Sequence, residues 1–205
     1  ADHVGSLQRP QSLLDARGRF KAGEIAAAEL RALEDKAIAG AVRMQEDIGL
    51  QSITDGEYRR ENFHFDFLNR IGGVDFRRMM PEGSEGKNAD PAKAPFVAFI
   101  TGKLSRPAEG VEVENYKVVA ALTDRTPKIT IPSPTMTHFR GGRAAIDKTA
   151  YPDLDEFFAD LARVYREELA GLADRMPLRP VRRYQPRLSL RREHARRGEE
   201  TGRGP

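Results

Sequence analysis

Gly49-Leu50-Gln51-Ser52-Ile53-Thr54-Asp55-Gly56-Glu57 carries a helix stop, a strand and a turn in immediate succession. Gly49 supplies a left-handed end for a preceding helix, with Leu50 placed to close over its last turn. Ser52-Ile53-Thr54 has the β-branched composition of a short strand, and Asp55-Gly56-Glu57 ends it in a turn. Upstream, Ala26, Leu30, Leu33, Ala37, Ala41, Met44 and Ile48 step by three and four after Gly23. That spacing predicts one long helix with this stripe buried and charges on its other face. Helix followed directly by strand is the unit of an α/β protein.

Outward from this unit the alternation continues. The opening Ala1-Asp2-His3-Val4-Gly5-Ser6 is expected as a short strand running into a turn. Phe63, Phe65, Phe67 and Leu68 fit a helical stretch that packs in the core rather than forming a cofactor box, stopped by Gly72-Gly73. Residues 81–95, rich in Pro, Gly, Lys and Glu, have the composition of a solvated loop. Phe96 to Leu104 is apolar enough for a strand, and Tyr116, Val119 and Ala120 mark the buried face of a short helix before Thr123-Asp124. Lys128-Ile129-Thr130-Ile131 is a further β-branched strand. Pro132-Ser133-Pro134-Thr135 breaks it, and Ser133 can cap a helix that begins at Pro134. From Pro152, Leu154, Phe157, Phe158, Leu161, Val164, Tyr165, Leu169 and Leu172 predict a helix of about twenty residues. Strands starting near residues 1, 52, 96 and 128 argue for a parallel sheet with crossover helices.

Composition narrows the chemistry. The 205 residues are 39% hydrophobic and 32% charged, with a net charge of +3 and neither Cys nor Trp. No apolar run is long enough for a membrane-spanning helix, and no charged-then-apolar leader is seen, so a cytoplasmic location is expected. Without cysteine, disulfides and thiolate metal sites are excluded for this chain. Residues 175–205 hold 10 Arg and 3 Glu, and removing their +7 from the total leaves −4 on residues 1–174. The basic character belongs to the tail, which removes the charge argument for a nucleic-acid or membrane partner. Three closely spaced prolines and charges where a fifth strand is due predict a disordered tail. The abrupt Arg and Pro enrichment suggests a shift of reading frame near residue 175.

Four motifs in order resemble one family: His3-Val4-Gly5-Ser6-Leu7-Gln8-Arg9-Pro10, Thr54-Asp55-Gly56-Glu57-Tyr58-Arg59-Arg60, Pro132-Ser133-Pro134-Thr135-Met136 and Phe139-Arg140-Gly141-Gly142-Arg143. The chain is similar through them to the catalytic domain of cobalamin-independent methionine synthase. The resemblance covers residues 1–174. It implies part of a (β/α)8 barrel, about four βα units, with functional groups on loops at the C-terminal ends of the strands, followed by the tail 175–205. Family members transfer a methyl group from methyltetrahydrofolate polyglutamate to the thiol of homocysteine, which zinc activates by deprotonating it.

Carried over by residue, the resemblance assigns Val4, Gly5 and Ser6 to holding the amino-acid substrate, Gly5 because a missing Cβ admits a ligand to the main chain. Glu57 is assigned to the substrate ammonium, with His3 and Asp55 beside the same mouth. Ser133, Thr135 and Phe139 are assigned to the folate side, Phe139 as the aromatic that stacks on the pterin. No catalytic residue is assigned. The family's zinc ligands lie on later strands, and His3, His64, His138 and His194 are not at metal-ligand spacing, so no metal site is expected here.

Each residue also has a plainer reading. A lone His3 can be a hydrogen-bonded structural residue, and Asp55-Gly56-Glu57 only a strand-to-helix turn. Arg59 and Arg60 are expected at a solvated or ion-paired edge, and Ser133 is explained by capping alone. A thiol alkyltransferase of the coenzyme M type and a non-catalytic, truncated fragment remain alternative readings. Four strands cannot close a barrel, so weak stability and self-association through open sheet edges are expected, with this chain inactive alone.

Overall fold

The computed structural model describes residues 3–80, 90 and 94–174. Most of the expected loop 81–95, and all of the tail with His194, lie outside the described residues. The elements run α1 (Gln11–Lys21), α2 (Ala27–Asp47), β1 (Ser52–Ile53), α3 (Phe63–Leu68), β2 (Gly72–Arg78), β3 (Phe96–Ser105), α4 (Val113–Leu122), β4 (Thr126–Pro127) and α5 (Leu154–Ala173). Short 3₁₀ turns cover Pro134–Thr137 and Gly142–Ala145. The fold is α/β.

The strands pair differently from the single parallel sheet expected. β1 and β4 are parallel, with Ser52 opposite Thr126 and Ile53 opposite Pro127. β2 and β3 form an antiparallel pair instead. Gly72-Gly73, read as a stop, begins β2. A Cβ on Gly73 would lie 2.6 Å from Lys103 O, so only glycine lets this strand start so close to its neighbour. Val74 and Phe76 then alternate with charged Asp75 and Arg77, a period-two signal that was legible.

Residues 3–6 form no strand. Gly5 has φ +132°, and the carbonyls of His3 and Gly5 accept from the side chains of Lys128 and Thr54 rather than from a ladder. The strand expected at 128–131 is displaced to Thr126–Pro127. Lys128 N still donates to Ile53 O at 2.8 Å, but the carbonyls of Thr130 and Pro132 accept from Arg60 and Tyr165 side chains.

The helices keep their places while one turns its face. In α2, Glu34, Ile38, Ala41, Val42 and Gln45 are buried, whereas Met44 and Ile48, expected inside, are 42% and 67% exposed. The reason is polar: Gln45 bonds Thr54, and Glu34 meets Arg17 and Arg59. Gly49, at φ +85°, closes the helix as expected, with its N–H on Glu46 O at 2.9 Å and the Leu50 N–H on Gln45 O at 3.0 Å. These are the two bonds of a Schellman end. α1 was not anticipated, because only Leu13 and Ala16 of its eleven residues are buried. In α5 the expected face is inside except for Phe158 and Leu169.

Two cores result. One packs Phe67, Leu68 and Ile71 with Ile100 and Leu104 of β3 and Phe157, Leu161 and Val164 of α5. The other joins Leu13, Ile38 and Val42 with Ile53, Tyr58 and Val119. Val113 and Tyr116 of α4 meet Leu172 of α5 in a smaller cluster. Glu168, 1% exposed, fastens this junction. Its carboxylate accepts from Val111 N at 3.0 Å, Glu112 N at 2.7 Å and Arg106 Nε at 2.8 Å. The first two are N–H groups leading into α4 that the helix itself cannot satisfy. No helix among the described residues is long and apolar enough to cross a membrane.

Removing the Glu168 carboxylate strands a guanidinium and two buried N–H groups. Glu168→Ala is expected to lower the unfolding free energy by about 3 kcal/mol, measured by urea titration. Glu168→Gln, which keeps an acceptor oxygen, should cost less.

Candidate functional site

The chain leaves β1 through Thr54, which is latched from α2. Thr54 N donates to Gln45 Oε1 at 3.0 Å, Gln45 Nε2 donates to Thr54 O at 2.8 Å, and Thr54 Oγ1 donates to Gly5 O at 2.7 Å. His3 Nε2 lies 3.1 Å from the same Gln45 Oε1. This bond matches the structural reading of His3.

The turn that follows is left-handed twice, with φ +68° at Gly56 and +59° at Glu57. Glu57 is the one non-glycine residue at positive φ among the described residues, a conformation that costs an L-residue about 1–2 kcal/mol. Neighbours hold it there. Asp55 Oδ1 accepts from Glu57 N at 2.9 Å, and Leu7 N donates to Gly56 O at 3.0 Å. Arg9 Nη2 donates to Glu57 O at 3.1 Å, and Arg17 Nη1 donates to Arg60 O at 3.0 Å. Tyr58 Oη donates to Gln8 O at 2.9 Å. Backbone strain overdetermined in this way is characteristic of functional turns.

The turn delivers a buried set of charges. Asp55, Glu57, Arg60 and Glu112 are 1%, 4%, 2% and 3% exposed. Glu57 Oε1 accepts from Thr130 Oγ1 at 2.8 Å and stands 3.9 Å from Arg60 Nη1. Arg60 Nη2 lies 3.2 Å from Glu112 Oε2, which also accepts from Asn115 Nδ2 at 2.8 Å. Asp55 Oδ2 is buried with no hydrogen-bond partner. Burial pushes the Glu112 carboxyl above its ordinary 4.5; Arg60 opposes the shift, and the charge of Asp55 adds to it.

Arg59 and Arg60 are therefore ion-paired but not at a solvated edge. Arg59 is buried against Glu34 and Asp35, and burial in turn raises the Glu34 carboxyl. Gly5 sits against the same centre, since a Cβ there would lie 3.0 Å from Thr130 Cγ2. Val4 and Ser6, on either side, are exposed. The structure thus brings Gly5, Asp55 and Glu57 together around Thr54 and Thr130.

Ser133, Thr135 and Phe139 belong to the segment after β4. Ser133 Oγ accepts from Thr135 N at 3.4 Å and lies 2.9 Å from Thr135 Oγ1, the capping role read from sequence. Phe139, 56% exposed, borders an open cleft lined by His64, Phe65, Phe76, Phe96 and Arg140. Arg78 stacks over Phe96 at 4.5 Å and Arg140 over Phe139 at 5.3 Å, giving the cleft a cationic rim. Burial, and then the charge of Arg140, hold His64 below its usual 6.5, which favours the neutral ring. Phe65 belongs to this cleft, while Phe67 is core as expected.

Gln45, Thr130, Glu112 and Asn115 were missed by sequence reasoning. Gln45 lies on α2, Thr130 after β4, and Glu112 and Asn115 at the start of α4, and no local pattern marks them. Among the described residues no three His, Asp or Glu side chains come together as a metal ion requires, and the chain has no cysteine. The described residues do not fit the zinc that the resemblance implies.

Comparison with known proteins agrees with the motif reading. Residues 2–175 match the family model of the cobalamin-independent synthase catalytic domain. Protein YxjH of Bacillus subtilis is 40% identical over 179 residues, which are 85% of this chain and 45% of YxjH. A 5-methyltetrahydropteroyltriglutamate–homocysteine methyltransferase of Thermosynechococcus vestitus is 29% identical over 170 residues, 82% of this chain and 21% of that enzyme. The crystal structure of a candidate vitamin-B12 independent methionine synthase from Listeria monocytogenes superposes with a TM-score of 0.67 at 36% identity, covering 85% of this chain and 48% of that one. The chain spans about half the length of the Bacillus and Listeria proteins.

Two measurements check the geometry of the turn. Glu57→Gly and Glu57→Ala both lose the carboxylate, but only alanine keeps the left-handed penalty. The glycine variant is expected to be about 1 kcal/mol more stable in urea unfolding. The raised Glu112 carboxyl takes up a proton in the folded state at a pH where the unfolded chain has released it. Stability should therefore fall as pH rises from 4.5 through the raised value. Glu112→Gln is expected to flatten that slope, leaving the share contributed by Glu34.

Proposed function

Because this chain belongs to the family of the cobalamin-independent synthase catalytic domain, we propose that it carries the amino-acid grip of a thiol methyltransferase acting on homocysteine, with 5-methyltetrahydrofolate as methyl donor. Those are the substrates for which its Thermosynechococcus relative is named. The observation that carries the reading is the unpartnered Asp55 Oδ2, buried beside Glu57. An orphaned buried carboxylate oxygen is costly, and a substrate ammonium is a charge-assisted donor that would satisfy it.

In this reading Glu57 and Asp55 take the ammonium of homocysteine. Gly5 and Ser6 supply the main-chain approach and the hydroxyl for the rest of the amino acid, with Val4 and His3 at the mouth. Phe139 and the aromatic cleft present flat apolar faces to the folate ring, with Ser133 and Thr135 on the same segment. The chain's residues bind and orient the two substrates.

The parallel neighbours β1 and β4 support reading residues 1–174 as part of a (β/α)8 barrel. Asp55, Glu57 and Ser133 follow the carboxyl ends of those strands, where this architecture keeps its functional groups. Residues 175–205 are then a tail outside the domain. The unpaired strand edges would make self-association the behaviour to look for in solution.

Titration calorimetry of the 205-residue chain with L-homocysteine tests the grip. Glu57→Gln is expected to weaken binding about 10- to 100-fold, the worth of a hydrogen bond to a charged group. Equal binding by the two proteins would overturn the assignment. Atomic absorption of the same chain is expected to find no stoichiometric zinc.

A further inference from the structure

Arg60 is buried between two carboxyl groups on different elements, with Nη1 3.9 Å from Glu57 Oε1 and Nη2 3.2 Å from Glu112 Oε2. Nη2 also donates to Thr130 O, and the Thr130 hydroxyl donates to Glu57 Oε1 at 2.8 Å. Arg60 thus faces Glu57 at ion-pair distance, with no hydrogen bond from Nη1, and is hydrogen-bonded to Thr130, the residue that orients Glu57. Behind Arg60, Glu112 is fixed from two sides. Its side chain accepts from Asn115 Nδ2 at 2.8 Å, and its backbone N–H is held by Glu168 of α5 at 2.7 Å. Ion pairs and hydrogen bonds link Arg106 and Glu168 through Glu112, Arg60 and Thr130 to Glu57.

Two features distinguish this chain of contacts from ordinary packing. Every charged member from Glu168 to Glu57 is buried, so each charge depends on its partner rather than on water. Glu112 also anchors α4 through its backbone and touches Arg60 through its side chain, so the two roles separate chemically. Changing its carboxylate to an amide leaves the backbone bond to Glu168 and an oxygen for Asn115, and removes only the charge that faces Arg60.

We propose that Glu112 is a positioning residue: through Arg60 it fixes the carboxylate of Glu57 and so sets the preference of the site for ligands that carry an ammonium group. The inference rests on the reading of Glu57 as the ammonium acceptor and names the residue that makes it selective. Glu112 does not touch the ligand. The Arg60 guanidinium faces Glu57 and Glu112, the guanidinium groups of Arg9 and Arg17 lie on its backbone carbonyl, and Asp55 lies close enough to bear on Glu112.

The test uses the full chain at neutral pH and two probes, L-homocysteine and γ-mercaptobutyrate, the same thiol acid without its amino group. Glu112→Gln is expected to weaken L-homocysteine binding about tenfold and to leave γ-mercaptobutyrate unchanged. Glu112→Asp, which keeps the charge, should recover part of the loss. Equal weakening of both probes, or no change in either, would overturn the proposal. If the wild-type chain itself does not distinguish the probes, the reading of Glu57 falls, and a ligand-free measurement decides the relay. In thermal unfolding, Glu57→Gln and Glu112→Gln are expected to be non-additive when combined, whereas additive effects would show that the two carboxylates are not coupled.

Discussion

The backbone from Thr54 to Arg60 is held in a shape its own residues would not keep alone. Two consecutive left-handed residues turn the carbonyls of Gly56 and Glu57 outward, where no helix or strand can receive them. Leu7 donates to Gly56 O and Arg9 to Glu57 O, while Arg17 donates to the carbonyls of Tyr58 and Arg60 that follow. This explains why an N-terminal segment with no ladder of its own lies ordered across the molecule. It also explains why α1 exists with so small an apolar face: Arg17 is its working residue, joined to Tyr58, Arg60 and Glu34. The strained turn and the segment that clamps it stabilise each other, and the outcome is two carboxyl groups at the end of β1.

A second constraint couples that turn to the rest of the fold. The core around α2 and β1 and the core around β3 and α5 are built mainly from different elements. Between them runs the polar line of Glu168, Glu112 and Arg60. Buried ion pairs add little net stability compared with apolar packing, but removing one partner leaves an uncompensated charge. Such a line is better suited to fixing geometry than to holding the fold together, and it ends at Glu57.

Membership of the synthase family and the half-length match frame what this geometry serves. The left-handed turn and the aromatic cleft both lie within residues 2–175, the stretch that matches the family model. The turn and the cleft are built on adjacent pieces of chain, since α3 begins three residues after Arg60 and carries His64 and Phe65 to the cleft. Arg60 also stacks on Phe63 at 5.6 Å, at the first residue of that helix. The orientation of α3 is therefore tied to the same guanidinium that faces Glu57.

What the sequence determined by itself was local. The Schellman end at Gly49 and the cap at Ser133 each depend on residues within about four positions of one another, and the period of α5 and the position of the turn at Asp55-Gly56-Glu57 are likewise written in contiguous residues. The motifs determined the family for the same reason, being short runs of contiguous residues. Only the tertiary structure decided which strands pair, because Gly73 could be recognised as a point of close approach only once β3 lay against it. It also decided that Glu34 and Gln45 go inside while Met44 and Ile48 stay out. A buried polar group is tolerable when its partner is present, and the partners, Arg17 and Arg59 for Glu34 and Thr54 for Gln45, lie on other elements. The same holds for Arg60, whose charge reads as solvent-facing until Glu112, distant in the chain, is brought to it by the folding of α4 against α5.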